Sequence, residues 1–382
     1  MPYSDQHCYP PILDLGSAHP HPIVIQSIEV LRFSKVCFVR TRSQDGAVGI
    51  SVCDDRIFLF LPMLKYLVIP VFLQRDLRDL ESLINEVYTY KMNYKYHGIP
   101  FWNCVAFIEA SLLDLFGKAT GKSVGDLVGQ VQRRSIPVYL SRKRRGNNVE
   151  DEIVFMEKRL SETGAGAVKL KIGGRMQNNR DISTGYSESL IIQSRERFGP
   201  DVALYFDANG SFDCERAIEI GRLMEKNDCN FFEEPCPFEQ YEETRAVADA
   251  LDIDIVGGEQ DCNLGHIREM IRRRIVDIIQ PDLWNVGGLI RALRVARMAE
   301  EAGMTVFAHG GPIGPGAATQ LHFTSVVPNA GPFLEYPATK SRQHSWYSPH
   351  FGVNKDGTVT VPDSPGLGIS YDPDIWKKAR VF

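Results

Sequence analysis

The chain has 382 residues, 43% of them hydrophobic and 24% charged, with a formal charge of -5. That length suits a barrel of about 250 residues plus a second domain, and the mild acidity leaves no broad basic surface for nucleic acid or anionic lipid. Eight cysteines without a CxxC pair argue against a zinc knuckle or a disulfide framework, and the opening MPYSDQHCYPPILDLG lacks a basic and apolar leader, so reduced thiols and a cytoplasmic location are expected.

Residues 23–33 and 36–53 are rich in β-branched and aromatic side chains, and Asp45-Gly46 supplies a hairpin turn, so an antiparallel sheet opens the chain. The apolar run from Ile57 to Leu73 is almost long enough to cross a bilayer. Pro62, Lys65 and Pro70 interrupt it, and a buried strand and turn leading into a helix is expected instead of a membrane span. Segments 75–92 and 103–121 carry apolar residues at helical spacing, with Gly117 and Gly121 as stops. Together these form a first, N-terminal α+β domain, residues 1–132.

From Ser135 onward, eight short apolar runs alternate with amphipathic stretches: 136–140, 167–172, 202–207, 229–234, 253–259, 276–282, 304–309 and 331–335. This rhythm predicts an α/β fold, a (β/α)8 TIM-like barrel over 133–340 with right-handed crossovers. The proline- and glycine-punctuated remainder, 341–382, is expected to pack back on the first domain.

Asp207, Glu233 and Glu259 end the third, fourth and fifth runs at equal gaps of 26 residues. Parallel strands of a barrel share one face at their carboxyl ends, so three acids in register converge there and repel one another unless a divalent cation neutralises them. All-oxygen donors suit hard Mg2+ better than zinc. Taken singly, each acid reads as a solvated strand end or helix cap; the shared register is what favours a metal site.

Lys169 and Lys171 in VKLKIGG lie two apart, which points both to one side of the second strand, and a lysine beside another ammonium and a cation is a candidate base. Asp282 and His309 end the sixth and seventh strands, adjacent positions that bring a carboxylate to an imidazole. Glu335 ends the eighth; it hydrogen-bonds a substrate oxygen gaining negative charge only if protonated or approached through the metal. Asn209, in DANGS, is a polar support for metal or lysine, or equally a turn residue. The basic run Arg142 to Arg145 reads mainly as a solvated loop with one arginine near an anionic substrate as the sharper alternative. HGGPIGPGAA lacks the phosphate-loop lysine and reads as a tight loop.

In this order and spacing, Lys-x-Lys of VKLKIGG, DAN, EEP, GGE, PDLWNVGG and the last His and Glu resemble the enolase superfamily, specifically the mandelate racemase/muconate lactonizing enzyme family and its mandelate racemase subgroup. The resemblance covers most of the chain. It implies Mg2+ on Asp207, Glu233 and Glu259, acid/base roles for Lys171 and the His309–Asp282 dyad, and Glu335 at the substrate carboxylate. Lys169 would lower the pKa of Lys171 and touch that carboxylate. The shared step is removal of a proton α to a carboxylate. Dehydration of an aldonic or aldaric sugar acid is the expected outcome by analogy, with racemisation or epimerisation as the alternative. A homo-oligomer acting on a small-molecule carboxylate is implied as well. One departure concerns the short turn RFSK (32–35), where the family has a longer covering loop; the tail with His7, His19 and His21 is a candidate replacement, from the same or a neighbouring subunit.

Overall fold

The structure, a computed structural model, describes residues 11–146, 148–311, 314–339 and 344–382. It opens with an antiparallel meander of β1 (Ile25–Phe33), β2 (Val36–Ser43) and β3 (Val48–Cys53), extended at its β1 edge by Arg380–Val381 from the far end of the chain. One face of this sheet packs on α1 (Ile99–Thr120). Gly49 makes the contact possible, because a Cβ there would lie 2.0 Å from the carbonyl oxygen of Ser111. The other face carries Leu31, Phe38 and Ile50 beneath Ile375 and three C-terminal aromatics; Trp346, Tyr371 and Trp376 all stand edge-on to Phe38.

Three expectations for this region need correction. Residues 57–72 are helical throughout, with no strand: Ile57–Met63 passes into a π-helical turn, Leu64–Val68, and then Ile69–Phe72. Pro62 removes an amide donor from the first of these helices, and the wider turn follows two residues later. The helix of segment 75–92 stops at Thr89, because Lys91 and Met92 take left-handed backbone angles. Gly117 does not end α1, which runs on to Thr120 and stops at left-handed Gly121; Gly117 admits the C-terminal loop, since a Cβ there would meet Gly366 at 2.6 Å. By length and composition α1 could cross a membrane, but 89% of its most apolar window is buried inside the protein.

All eight barrel strands form, in one parallel ring: β4 (Ser135–Ser141), β5 (Ala167–Lys171), β6 (Ala203–Asp207), β7 (Phe231–Glu233), β8 (Asp254–Gly257), β9 (Ile278–Ile279), β10 (Thr305–Val306) and β11 (Leu334–Pro337). β11 pairs with β4, and the ring closes where the Gly331 amide donates to the Val306 carbonyl at 2.9 Å. A further strand, Thr358–Thr360, runs antiparallel to the start of β4.

Alternation along the strands fixes what faces inward. Tyr139, Ala167, Tyr205, Phe231, Val256, Ile278 and Phe307 form a closed apolar plug, with Tyr205 and Phe231 stacked at 3.8 Å. Two residues further along, the same inward face presents Ser141, Lys169, Asp207, Glu233, Gln280 and His309, and from Phe333 it leads to Glu335. The polar site thus sits directly on an aromatic floor that keeps water from its underside.

Candidate active site

Register places Lys171 beside Asp207 and Asp207 beside Glu233 on three consecutive strands. Glu259 breaks the alternation, since inward Val256 would place residue 258 inward next. Gly258 takes a φ of 110°, turning the chain so that Glu259 enters the site, and a Cβ there would press on Ile279 at 2.9 Å. Asp282 and His309 lie just beyond β9 and β10, joined by an isolated parallel bridge.

The charged groups pair across strands. Lys169, with no exposed surface, places its ammonium 2.7 Å from both oxygens of Glu233 and 3.3 Å from Glu335. Burial alone would lower its pKa, but Glu233 and Glu335 outweigh that and hold the ammonium charged. Lys171 donates to Asp207. His309 is held by Asp282, 2.8 Å from its Nδ1, and its Nε2 lies 2.9 Å from Glu259. Asp282 is itself oriented by the amides of Trp284 and Asn285 on its other oxygen.

Burial raises the Glu233 carboxyl to about 8, with Asp207 and Glu259 adding repulsion against Lys169. Asp207 goes the other way, to about 2, because Lys171 and Lys169 overcome its burial. Glu335 is also held low, Lys169 and His309 outweighing burial, and its Oε2 accepts the Gly310 amide at 2.7 Å. It is therefore ionised here. Of the two conditions under which it could meet a developing oxyanion, protonation is not met.

Among the described residues no group of three Asp, Glu, His or Cys side chains is drawn into a closed cation cage. The reason is visible in the pairs: Asp207, Glu233 and Glu259 each turn an oxygen to Lys171, Lys169 or His309. Their chemistry still fits a hard cation. Three carboxylates end adjacent strands, Asp207 and Glu259 adding their repulsion to the burial that raises Glu233, and an oxygen-only set suits Mg2+.

Gln280 and Glu234 escaped the sequence reading, whereas Asn209 and the run containing Arg145 were singled out in it. Gln280 donates to Glu233 at 3.1 Å; its position two before Asp282 gave the signal, since alternation turns both inward. Asn209 is buried, not a surface turn. At a left-handed φ of 47° its amide nitrogen donates to Asp207 at 3.1 Å, while Arg145 grips its carbonyl oxygen at 3.2 Å. Arg145 spends its other donors on the carbonyls of Ile172, Gly173 and Ala208, and so does not face a substrate. Glu234, buried beside Asn209, has one oxygen without a partner.

A cavity of about 370 Å³ opens beside His309 and Asp282, walled by Asp54 and Arg56 of the cap, Lys143, Trp284, Gly311 and Gln320. The described part of the N-terminal tail contributes nothing to it. The amides of Ile12 and Leu13 are tied to Glu81, and His19 leans edge-on against Phe116. His7 lies outside the described residues, as do Pro312 and Ile313 of the glycine-rich loop.

Residues 153–375 match the family described as enolase C-terminal domain-like, more than half of the chain. The chain belongs to this enolase family. A solved structure from Roseobacter denitrificans, whose racemase name is provisional, superposes with a TM-score of 0.88 at 32% identity, covering 94% of this chain and 99% of its own. A mandelate racemase/muconate lactonizing protein from Paracoccus denitrificans, complexed with magnesium, shares the fold at a TM-score of 0.85 and 24% identity, over 94% and 99% of the two chains. Among curated relatives, the arabinonate dehydratase of Saccharolobus solfataricus is 26% identical over 95% of this chain and 91% of its own length. The D-galactarolactone cycloisomerase of Agrobacterium fabrum is 28% identical over 80% and 81%. Within this enolase family the fold and the mandelate racemase-like architecture are thus established for the chain.

Proposed function

We propose that the protein removes the proton α to the carboxylate of a small sugar acid and expels the β-hydroxyl as water, leaving a 2-keto-3-deoxy acid. One observation carries this reading. Around the ring, two groups able to move protons, Lys171 on β5 and the His309–Asp282 pair after β10 and β9, bracket an arc whose intervening strands bear Asp207, Glu233 and Glu259. The dehydratase among the relatives supports the choice of chemistry.

Asp207, Glu233 and Glu259 would hold Mg2+, which when bound neutralises their mutual repulsion and the charge that develops on the substrate carboxylate. The remaining tasks fall to the chain's own side chains. Lys169 stays charged and meets the carboxylate. Lys171, as the free amine, takes the α-proton. His309, held through Nδ1 by Asp282, delivers the proton on Nε2 to the departing hydroxyl. One C–H and one C–O bond break, water leaves, and the enol becomes the ketone by taking a proton at C3. Asn209, locked by Arg145, steadies Asp207. If His309 instead returned a proton to the opposite face of the same carbon, the product would be an epimer; the racemase-named neighbour keeps this as the second reading.

The test is a screen of purified protein with Mg2+ against aldonic and aldaric acids, detecting 2-keto-3-deoxy products, with Lys171→Ala and His309→Ala as controls. A product lost in both variants supports the proposal. A product that survives either substitution contradicts the assigned roles.

A further inference from the structure

Of the basic run Arg142 to Arg145, only Lys143 lines the cavity beside His309. Arg142 pairs bidentately with Glu152 and lies over the ring of Phe155, while Arg145 is consumed by carbonyl groups and Asn209. Lys143 instead turns into the cavity beside His309, where its ammonium reaches only a weak 3.4 Å contact with the carbonyl oxygen of Gly311, two residues beyond the imidazole. No carboxylate pairs with it among the described residues.

The rest of the cavity wall sharpens the point. Its two acids are already engaged, Asp282 by His309 and Asp54 by Arg56. Asp54 grips the guanidinium of Arg56 through Nε and one terminal nitrogen, at 3.0 and 2.9 Å, which fixes the fork and leaves its other N–H edge to the open space. The wall therefore carries one uncompensated positive charge and one oriented set of donors. Lys169 and Glu335, where the reacting carboxylate would bind, are not among the residues that wall this cavity.

Building on the proton-abstraction reading, we infer that Lys143 and Arg56 form a subsite for a second carboxylate, so that the substrate is a sugar diacid, an aldarate, and not an aldonate. A substrate held by its first carboxylate at Lys169 would extend its chain past His309 into this cavity, whose volume of about 370 Å³ accommodates the remaining carbons and hydroxyls. An aldonate would end there in a neutral hydroxymethyl group and leave the ammonium without an anionic partner. One ammonium and a guanidinium already shared with Asp54 match a monoanionic carboxylate better than a dianionic phosphate.

Calorimetric titration of the full chain, in Mg2+, with six-carbon aldarates and their matching aldonates tests this without requiring turnover. At least one aldarate is expected to bind about tenfold tighter than its aldonate. Lys143→Gln should abolish that margin while leaving aldonate affinity unchanged, and Arg56→Gln should narrow it. Aldonates binding as tightly as aldarates, Lys143→Gln weakening both alike, or no binding by either class would overturn the subsite. Turnover measured in parallel separates the two proposals: an aldarate that binds through Lys143 yet is neither dehydrated nor exchanged counts against the proton chemistry and leaves the subsite standing.

Discussion

At the barrel mouth, Lys169, Lys171 and His309 face carboxylates from other strands, whereas at the seam between cap and barrel Glu109 and Asp114 accept main-chain amides from distant segments. Glu109 of α1, fully buried, accepts from the amides of Leu289 and Ile290, the latter at 3.0 Å, and so caps the first turn of the barrel helix Leu289–Glu301. Asp114, five residues further along α1, accepts from the Ile50 and Leu367 amides, both at 2.8 Å, and from the Lys118 ammonium at 2.6 Å, joining the cap sheet to the C-terminal segment. Side-chain pairs can rotate and exchange partners for a cation or a substrate. Amides at a helix start cannot. The two regions therefore spend buried charge differently, the mouth on chemistry and the seam on fixing the cap over the barrel.

The largest effect is expected of Lys171→Ala, a loss of turnover of about 10³-fold with little movement of the unfolding temperature, checked by steady-state kinetics alongside thermal melting. The seam should show the reverse. Glu109→Ala leaves two buried amides without an acceptor and is expected to cost about 3 kcal/mol, read as a lowered melting temperature with kcat of the folded fraction nearly preserved. Asp282→Asn should reduce kcat about 10- to 100-fold with KM changed less, since it orients His309 without holding substrate.

The smallest effect is a pH dependence at the seam. His322, buried in the barrel helix Ala317–Val326, accepts the Gly125 amide through Nδ1 at 3.1 Å, and burial pushes it down to about 4. Unfolded chains therefore bind the proton first, so this contribution is complete above the ordinary histidine range and lost as pH falls from about 6.5 toward 4. Between pH 7 and 5.5 the loss is about 1 kcal/mol, and denaturant melts of His322→Asn should lack that slope. An equal slope in the variant would remove His322 from the account.

The ring of strands and most of the mouth were legible because strand pattern is a local property: Lys169 and Lys171 follow from alternation, and Asp207 and Glu233 from equal spacing at strand ends. Glu259 was named from its spacing, but its route inward depends on left-handed Gly258. The interactions that stayed hidden are those between residues distant in sequence. Arg145 locks Asn209 across 64 positions, and Glu109 reaches Leu289 across 180. PDLWNVGG carried the trace of the second. Gly288 in that motif has a φ of 113° and would place a Cβ 2.1 Å from Glu109, so the glycine is there to let the cap helix close. The helical course of 57–72 was hidden for another reason, since two prolines masked a helix that bends around them.

The central claim is that Lys171 and His309 act on one substrate from the two ends of the carboxylate arc. The most direct measurement is the Mg2+-dependent reaction in D2O, followed by proton NMR for the wild type, Lys171→Ala and His309→Ala. The expected result is a 2-keto-3-deoxy acid with one deuterium at C3 from the wild type and no product from either variant. Recovery of substrate carrying deuterium at C2 with inverted configuration and no keto product, or product formation by the Lys171 variant, would contradict it.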